Sequence, residues 1–364
     1  MKVAVIHYWL VNMRGGEKML EALLGMYPQA DIFTHVYNPN AVSEAIRSRH
    51  IITSGVNRLP FSKKLYPFYI FLMPNALLDF NMQEYDLIIS SEAGPAKGIV
   101  PNPNAFHICY CHSPMRYIWD MYHEYSIGKN AFIRFFMKRL IPSIRIWDIT
   151  SSNLVDRFVT NSHYTAKRIL RYYNRKADVV FGPASIEKYQ EVIRNPSDYY
   201  LFLGQITDYK RADIAIEACI RSNRKLVVAG AGLKKKDINK FRNNKLILFK
   251  GRVSDDEIKE LFSGAKALLF PGIEDLGLVP IEAQAAGCPV IAYRDGGALD
   301  TIKENITGIF FNKQTPESLL TALDYFEKEF KFNNRGIFNE HVRQFSKDAF
   351  IIRMQRIIEE RRRV

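Results

Sequence analysis

The chain of 364 residues is poor in cysteine and in long apolar runs. No cysteine stands in the CxxC pairing that zinc and redox sites use, so we expect reduced thiols in a cytoplasmic protein. The apolar stretch Phe68–Met73 is interrupted by Pro74, and no apolar segment is long enough to cross a bilayer. We therefore expect that the protein is not an integral membrane protein. The four cysteines are Cys109, Cys111, Cys219 and Cys288.

Several ligand-binding motifs are also missing. The chain has no GxGxxG glycine pattern, which counts against NAD as a cofactor. It has no Asp-x-Asp motif, so we expect no metal and no other cofactor. RNP, zinc-finger and basic-zipper patterns are absent as well, which makes nucleic acid an unexpected partner despite the basic charge.

Acidic residues are fewer than basic ones, 38 against 51, and the formal net charge is +13. This charge favours anionic partners. Two stretches, Arg58–Met73 and Phe132–Trp147, mix basic with aromatic residues. Such mixing suits a surface that meets anionic headgroups, at the inner face of the plasma membrane. It equally suits a half-buried helix with a solvated basic face.

Short apolar runs alternate with helical patterns along the chain, which predicts parallel α/β sheets. The pattern pauses near Phe181-Gly182-Pro183 and then starts a second series at Tyr200–Gly204. We therefore predict two Rossmann-like domains, residues 1–183 and 184–346. A C-terminal helix, 347–364, can pack on either domain, and we expect it to return to the N-terminal one. The other predicted strands are Val3–Ile6, Asp86–Ser91, Phe106–Tyr110, Arg157–Asn161, Lys225–Gly230, Leu246–Gly251, Ala267–Phe270 and Pro289–Tyr293.

The most informative segment is Phe270–Gly287. Its apolar strand ends at Pro271-Gly272, and a helix follows with Pro280 in its first turn. The helix N-terminus offers N–H groups and a partial positive charge, which favour a pyrophosphate. Glu274 precedes the helix and Glu282 is expected in its first turn, so the two carboxylates can accept hydrogen bonds from different hydroxyls of one ligand. As a lone pair, they equally fit a loop residue and a dipole-complementing residue.

Three further segments carry candidate groups. Arg14-Gly15-Gly16-Glu17 permits close backbone approach to a ligand, although an ordinary strand-to-helix turn explains it as well. Gly204–Arg211 follows a strand and contains Lys210, which could neutralise a phosphate. Arg211 next to it fits a surface ion pair better. His112 follows a strand within Tyr110–Tyr117, where a structural hydrogen-bonding role is the alternative.

Together these segments resemble the retaining glycosyltransferases of family 4, which have the GT-B fold. The resemblance rests on Arg14–Glu17, Tyr110–Tyr117, Gly204–Arg211 and Phe270–Gly287 followed by Gly296-Gly297-Ala298. It implies two Rossmann-like domains facing a central cleft. The Phe-Pro-x-x-Glu-Asp-x-Gly and His-Ser-Pro-Met-Arg-Tyr forms look most like bacterial mannosyltransferases of O-antigen and capsule assembly.

The resemblance also implies roles for individual residues. Glu274, His112 and Lys210 would be catalytic: Glu274 at the donor sugar, His112 near the transferred sugar or the acceptor, and Lys210 on the diphosphate. Glu282 would hold the ribose hydroxyls. On the acceptor side would lie Arg116 and Tyr117. The remaining donor-binding residues would be Gly15, Gly16, Gln205, Arg211, Arg252, Val253, Asp275, Leu276, Gly277 and Leu278.

The resemblance implies a metal-independent transfer of a hexose, with mannose favoured, from GDP-mannose or a UDP-sugar to a glycan or polyprenyl-diphosphate-linked acceptor. One residue departs from the family pattern, because Gln205 stands where the family usually has an arginine that shares the diphosphate. Three alternatives stay open. They are a sugar-phosphate synthase or epimerase of the same fold, a binding protein with weakened catalysis, and a basic membrane-surface or nucleic-acid adaptor.

Overall fold

A computed structural model of the chain describes residues 1–232, 241, 244–331 and 334–360. The chain forms two compact units. The first unit comprises Met1–Gly182 together with the chain from Ile351 onward, and the second comprises Pro183–Phe350. Each unit is built on one parallel sheet.

The first unit contains a parallel sheet of seven strands in the order β3-β2-β1-β4-β5-β6-β7. Its central strands are buried along their whole length, as expected for a sheet covered on both faces. Register is set by pairs such as Ile6 with Ser90 and Ser91 with Tyr110. The strands are β1 (Val3–His7), β2 (Asp31–Thr34), β3 (Ile51–Thr53), β4 (Leu87–Glu92), β5 (Phe106–Cys111), β6 (Arg157–Thr160) and β7 (Ala177–Val179).

The second unit contains a parallel sheet of six strands in the order β10-β9-β8-β11-β12-β13. Its core is apolar, with Phe202, Val228, Leu269 and Ile291 on the strands packed against residues of two flanking helices. Among the described residues, its strands are β8 (Tyr200–Leu203), β9 (Leu226–Ala229), β10 (Ile247–Gly251), β11 (Leu268–Phe270), β12 (Val290–Tyr293) and β13 (Gly308–Phe311).

The helices connect the strands, and several begin at a side chain that accepts a hydrogen bond from the first turn. Asn130, Ser162, Ser254 and Thr315 cap helices in this way. The described helices are α1 (Gly15–Met26), α2 (Glu44–Arg47), α3 (Ser62–Leu65), α4 (Met73–Ala76), α5 (Tyr122–Ser126), α6 (Ala131–Ser151), α7 (His163–Tyr173), α8 (Ala212–Arg221), α9 (Asp255–Gly264), α10 (Leu278–Ala285), α11 (Ala298–Thr301), α12 (Pro316–Glu329), α13 (Arg335–Val342) and α14 (Lys347–Glu360).

Both sheets reverse their strand order at one point, between β1 and β4 in the first unit and between β8 and β11 in the second. In open parallel sheets, ligands bind outside the carboxyl ends of the strands at such a reversal. The chain leaves the four strands there at His7, Glu92, Leu203 and Phe270. The segments that follow these residues are therefore where functional side chains are expected.

The two parallel sheets confirm the predicted fold class, and every predicted strand is present. No predicted strand corresponds to β2, β3, β7 or β13, which are only three or four residues long. One local prediction is wrong: α10 begins at Leu278, so Glu282 lies in its second turn rather than its first. The cause is Gly277, which caps the helix in the left-handed region at φ 86° and starts it earlier than Pro280 suggests.

Candidate functional site

An ion pair lies at the strand reversal of the second unit. The Lys210 ammonium, which follows β8, lies 2.7 Å from Oε1 of Glu274, which follows β11. The side chains are 13% and 19% exposed, so the pair is largely shielded but still reachable from solvent. Two residues distant in the sequence meet because their strands are neighbours in the sheet. The structure thus brings together two of the three residues predicted to be catalytic.

The backbone holds Lys210 closely. A Cβ atom on Gly272 would fall 2.6 Å from the Lys210 Cα and 2.9 Å from the Tyr209 carbonyl oxygen. A Cβ on Gly204 would fall 3.2 Å from the Lys210 ammonium nitrogen. Glycine at both positions therefore allows the turn at Asp208–Lys210 to pack directly against the segment after β11.

The loop that carries Glu274 is supported from behind by Gly296 and Gly297. The Gly297 N–H donates to the Glu274 carbonyl at 2.8 Å. A Cβ on Gly297 would fall 2.4 Å from the Asp275 carbonyl oxygen and 2.5 Å from the Leu276 Cα. Gly297 therefore packs closely against Asp275 and Leu276, both predicted to bind the donor, and its N–H holds the backbone of Glu274.

Helix α10 begins directly after that loop, at Gly277 and Leu278. Its first N–H groups have no carbonyl partners within the helix, which makes its N-terminus a favourable place for a phosphate. Glu282 is partly buried in the second turn. Burial raises the pKa of Tyr189, and the negative charge of Glu282 raises it further.

The other predicted residues of the segment after β8 differ from Lys210. The Arg211 guanidinium contacts the Asp213 carboxylate at 2.9 Å and donates to Gln314 at 3.3 Å. Gln205 is exposed. The Thr207 hydroxyl was not predicted; it is buried and has no hydrogen-bond partner among the described residues. A buried hydroxyl of this kind, in the same turn as Lys210, is available to a ligand.

A pocket of about 430 Å³ opens at the carboxyl ends of β9 and β10, which fits the size of a small-molecule site. Arg252, one of the residues predicted to border the base, lines this pocket, and Val253 is the next residue along the chain. Gly230 also lines it, and a Cβ there would fall 1.8 Å from the Gly204 carbonyl oxygen. The lining residues are Gly230, Ala231, Gly232, Phe249, Lys250, Gly251 and Arg252.

In the first unit, Gly15 and Gly16 form the first residues of α1. A Cβ on Gly16 would fall 2.7 Å from the Tyr8 hydroxyl oxygen, so this glycine lets α1 approach the end of β1. The Glu17 carboxylate accepts a hydrogen bond from the Arg14 N–H at 2.8 Å, which caps the helix. The glycines therefore lie at the strand reversal of the first unit.

His112 lies just beyond the end of β5. Its Nε2 is 2.9 Å from the Ser91 hydroxyl oxygen, and its backbone N–H donates to the Glu92 carbonyl at 2.8 Å. The Tyr110 ring approaches it edge-on, with centroids 5.2 Å apart. The third predicted catalytic residue is thus held at the strand reversal of the first unit.

The predicted acceptor-side residues lie four and five residues beyond His112. One Arg116 nitrogen is 3.4 Å from the Met121 sulfur. The Tyr117 hydroxyl is buried without a hydrogen-bond partner in the described part of the chain, and burial raises the pKa of Tyr117 well above its usual range. This phenol therefore stays protonated, as a hydroxyl able to donate to a ligand.

Three further residues stand with His112 at the strand reversal of the first unit, which we call the first-unit site. They are His7, Tyr8 and Ser91, and the sequence does not predict them. His7 and Ser91 are fully buried at the ends of β1 and β4. The available signal is their position, because parallel strands end at the same edge of the sheet and all three residues stand near a strand end. Over residues 1–232, 241, 244–331 and 334–360, no three His, Cys, Asp or Glu side chains gather into a metal site.

Helix α6 presents aromatic residues to solvent. Phe132, Phe135 and Phe136 are 70%, 65% and 44% exposed, and Ile146 is 68% exposed. The opposite face contributes Ile141 and Ile144 to a buried cluster. Among the described helices, none is both long and apolar enough to span a bilayer.

Comparison with known families adds an independent finding. Residues 13–184 match the family described as Glycosyltransferase Family 4, and residues 184–345 match the family described as Glycosyl transferases group 1. A curated relative, an uncharacterized glycosyltransferase (MJ1607) of Methanocaldococcus jannaschii, is 30% identical over 145 residues. That match covers 36% of this chain and 36% of the relative's length.

Solved structures of the same fold cover the whole chain. The Anabaena protein Alr3699/HepE, solved in complex with UDP and glucose, superposes with a TM-score of 0.68 at 13% identity, over 99% of both chains. The lipopolysaccharide outer core galactosyltransferase WaaB superposes with a TM-score of 0.71 at 15% identity. The superposition covers 99% of this chain and 100% of the WaaB chain. These likenesses show that the fold is GT-B.

Proposed function

Since the chain belongs to the glycosyltransferases, with a family 4 domain followed by a group 1 domain, we propose that it moves a hexose from a nucleoside-diphosphate sugar to a glycan or a polyprenyl-diphosphate-linked acceptor. The observation that carries the proposal is the Lys210–Glu274 ion pair at the strand reversal of the second unit. We assign the reaction to bacterial surface polysaccharide synthesis, with mannose as the favoured sugar.

The ion pair has a direct use in such a reaction. A bound diphosphate carries more negative charge than one carboxylate, so it attracts Lys210 and leaves Glu274 able to accept hydrogen bonds from sugar hydroxyls. Lys210 and the N-terminus of α10 then stabilise the negative charge that develops on the leaving phosphate. Removing one such donor typically costs about 3–4 kcal/mol in the transition state.

The pocket beside Arg252 supports a place for the base. It follows β9 and β10, on the far side of β8 from β11, so base and phosphate would be bound along one edge of the same sheet. Alr3699/HepE binds UDP and glucose. We propose a UDP-sugar or GDP-mannose as the donor of this chain, with Glu282 at the ribose hydroxyls.

We propose that transfer is metal-independent and retains the anomeric configuration. Lys210 and the α10 N-terminus supply the positive charge at the diphosphate, and the leaving phosphate accepts the proton of the incoming hydroxyl on the same face of the sugar. Chelation with EDTA should therefore leave turnover unchanged, and NMR of the product should show the anomeric configuration of the donor. Loss of turnover with EDTA, or inversion, would contradict this mechanism.

We propose that the enzyme works at the cytoplasmic side of an anionic membrane, with α6 as the contact. The segment from Lys129 to Trp147, both included, contains five basic and no acidic residues, and the exposed phenylalanines of α6 lie among them. Basic groups bind anionic headgroups while aromatic rings enter the interface. The four described cysteines are free and buried, which suits a reducing compartment.

Donor binding can be tested by thermal denaturation with UDP-glucose, UDP-galactose, GDP-mannose, UDP and GDP. A ligand at 100 times its dissociation constant stabilises the folded state by about 2.7 kcal/mol. The Lys210→Met variant should lose this stabilisation. The Glu274→Ala variant should keep the stabilisation by UDP or GDP and lose turnover. Failure of every nucleotide to stabilise the wild-type protein would overturn the proposal.

The acceptor class is tested by turnover in the presence and absence of a polyprenyl-diphosphate-linked glycan. We expect nucleoside diphosphate to be released only with the acceptor present. Conversion of the donor without acceptor would indicate an epimerase. Transfer to a free sugar phosphate would indicate a sugar-phosphate synthase.

Membrane contact is tested by co-sedimentation with vesicles of phosphatidylglycerol and of phosphatidylcholine. We expect binding to the anionic vesicles, lost in high salt and in the variant Phe132→Ser/Phe135→Ser. A variant with two exposed lysines of the second unit replaced, Lys303→Gln/Lys313→Gln, is the matched control for nonspecific charge. Equal loss in both variants would argue against α6 as the contact.

A further inference from the structure

A chain of buried polar groups leads to His112 from inside the first unit. The Ser91 hydroxyl oxygen lies 2.9 Å from His112 Nε2 and also 2.9 Å from His7 Nδ1. His7 is the last residue of β1, and Ser91 is the residue before the last of β4. Both are fully buried. One hydroxyl therefore joins two imidazole rings at the edge where the predicted substrate-binding segments lie.

The inner end of this series of polar groups is the carboxylate of Glu17. Glu17 Oε1 lies 3.7 Å from His7 Nε2, a distance for electrostatic attraction rather than a full hydrogen bond. Glu17 is 1% exposed. Burial raises the pKa of Glu17, but His7 and the backbone N–H of Arg14 outweigh it and hold this pKa below its ordinary value. Glu17 is therefore ionised at neutral pH and can only accept hydrogen bonds.

When the His7 ring is neutral, an ionised Glu17 sets the direction of each proton along this series of polar groups. With one proton on the His7 ring, that proton sits on Nε2, because a lone pair facing the carboxylate would be repelled. His7 Nδ1 is then an acceptor and takes the Ser91 O–H. The Ser91 oxygen in turn accepts from His112 Nε2–H, since a hydroxyl has one proton to donate. In a neutral His112 ring with its proton on Nε2, Nδ1 is the acceptor atom.

The rings in this chain are also fixed by aromatic neighbours. Tyr8 stacks on His7 with centroids 4.3 Å apart, and Tyr110 packs edge-on against His112. The imidazoles are therefore held by packing as well as by hydrogen bonds. Packing fixes the orientation of each ring, and the hydrogen bond at one ring nitrogen selects the tautomer.

We propose that Glu17, His7 and Ser91 are positioning residues that fix His112 as the Nε2–H tautomer, so that His112 Nδ1 accepts a hydrogen bond from a hydroxyl of the transferred sugar or of the acceptor. The role of Nδ1 rests on the proposed sugar transfer. The tautomer itself does not, because it follows from the contacts within the first unit and a neutral His7 ring.

The first unit contains a built-in control for this proposal. Ser90, the neighbour of Ser91 on β4, is also fully buried and its hydroxyl oxygen lies 2.8 Å from Nε2 of another histidine, His107. The other ring nitrogen of His107 lies 2.8 Å from the Leu154 carbonyl oxygen. The Ser90–His107 pair therefore has the same serine–histidine geometry as the Ser91–His112 pair, at a histidine within β5 rather than beyond its end.

The tautomer can be read by NMR. The protein is labelled with ring-¹⁵N histidine, and multiple-bond ¹H–¹⁵N spectra distinguish Nε2–H from Nδ1–H rings. The His112 signals are assigned by their loss in His112→Asn. We expect the Nε2–H form in the wild-type protein. A His112 ring protonated on Nδ1 in the wild-type protein would overturn the proposal, whether or not any sugar is transferred.

Two variants test the series of polar groups that leads to His112. Glu17→Gln keeps the helix cap, since glutamine serves at this position of a capping box, but removes the charge that directs the protons. Ser91→Ala breaks the link to His112. In both we expect His112 to become a mixture of tautomers, whereas Ser90→Ala should leave its spectrum unchanged. A His112 spectrum insensitive to Glu17→Gln and Ser91→Ala would also overturn the proposal.

The kinetic consequence is measured with the nucleotide sugar that stabilises the protein most. Ser91→Ala should lower kcat about tenfold, the equivalent of one hydrogen bond, with KM for the donor within about twofold of wild type. Ser90→Ala should change neither. Equal losses in the two variants would reduce Ser91 to a structural role. If the tautomer is as expected but no nucleotide sugar is turned over, the proposed function fails while the positioning chain stands.

Discussion

The Lys210 ammonium lies 2.7 Å from a Glu274 carboxylate oxygen, whereas the neighbouring Arg211 is held by Asp213. Of these two adjacent cations, Lys210 therefore points into the strand reversal of the second unit, whereas Arg211 forms an ion pair on the surface. We expect Lys210→Met to lower sugar-transfer turnover by about 100-fold or more, because one phosphate-stabilising group is lost. Turnover is measured by release of the nucleoside diphosphate.

Arg211→Met is the matched control for that variant. The wild-type Arg211 guanidinium contacts Asp213 and Gln314 and does not point into the strand reversal of the second unit. We therefore expect Arg211→Met to lower turnover by less than about fivefold. A larger loss for Arg211→Met than for Lys210→Met would mean that Arg211 leaves Asp213 to bind the donor, and the assignment of Lys210 would have to be abandoned.

A second prediction concerns the support of the Glu274 loop. Gly297 has φ −67°, a conformation open to any residue, so Gly297→Ala brings no backbone strain. Its Cβ would nevertheless fall 2.4 Å from the Asp275 carbonyl oxygen and must push the loop away. We expect turnover to fall by about 10- to 100-fold, as for a misplacement of about 1 Å in a reacting group.

The comparison variant is Gly336→Ala in α13. The nearest atom to its added Cβ would be the Asn334 side-chain oxygen at 3.4 Å, an ordinary contact. Turnover and melting temperature should match those of the wild-type protein. If Gly297→Ala also retains full turnover, the Gly297 contact does not determine the position of Glu274.

A third prediction concerns a buried ion cluster beneath the first-unit site. The Lys97 ammonium lies 2.7 Å from Glu92 and also contacts Asp148, and all three side chains are fully buried. Burial raises the pKa of Glu92. Lys97→Met would leave two buried carboxylates without their cation, so we expect the free energy of unfolding to fall by about 3–5 kcal/mol. Urea denaturation followed by circular dichroism measures it.

The exposed pair Lys2–Glu84 provides the contrast. Lys2→Met removes a cation from a surface ion pair, and such pairs contribute at most about 1 kcal/mol. A destabilisation by Lys97→Met as small as that of Lys2→Met would show that the buried carboxylates take up protons or water at little cost.

A fourth prediction is a loss of stability in mild acid. Burial lowers the pKa of both His35 and His107 to about 4. In the unfolded chain these rings titrate near about 6.5, so between about pH 6.5 and pH 4 the unfolded state binds protons that the folded state does not. Stability is therefore full above about pH 6.5 and falls as the pH drops towards 4, by about 3 kcal/mol for each histidine.

Urea midpoints at about pH 7 and about pH 5 check this dependence. His107→Gln should reduce the difference between the two midpoints, since one of the two responsible rings is removed. The exposed His123 is the control, and His123→Gln should leave the difference unchanged. An unchanged difference in His107→Gln would mean that other groups cause the acid sensitivity.

The sequence predicts the fold well because its long strands are nearly continuous apolar runs. Strands such as β1 and β4 are buried on both faces, and that burial is visible as composition. The three-residue strands β3 and β7 are only partly buried at the sheet edges, and a run so short does not differ from a loop. Their existence depends on pairing with a neighbour, which a local pattern does not contain.

The site divides in the same way. Glu274, Lys210 and His112 can be found from their places after predicted strands. The partner of each depends on tertiary contacts: Lys210 with Glu274, Arg211 with Asp213, and His112 with Ser91. The predicted start of α10 differs from the observed one because Gly277 adopts a left-handed conformation that the surrounding loop determines.

Helix α14 imposes an order on the synthesis of the protein. Its residues from Ile351 belong to the first unit, where Arg157 contacts Glu360 at 2.8 Å and Arg353 lies over the Phe181 ring at 5.6 Å. A ribosome therefore releases the second unit's whole sequence before it releases the segment that completes the first. The amino-terminal half therefore lacks this segment, and the surface that the segment covers stays exposed, until translation has passed residue 360.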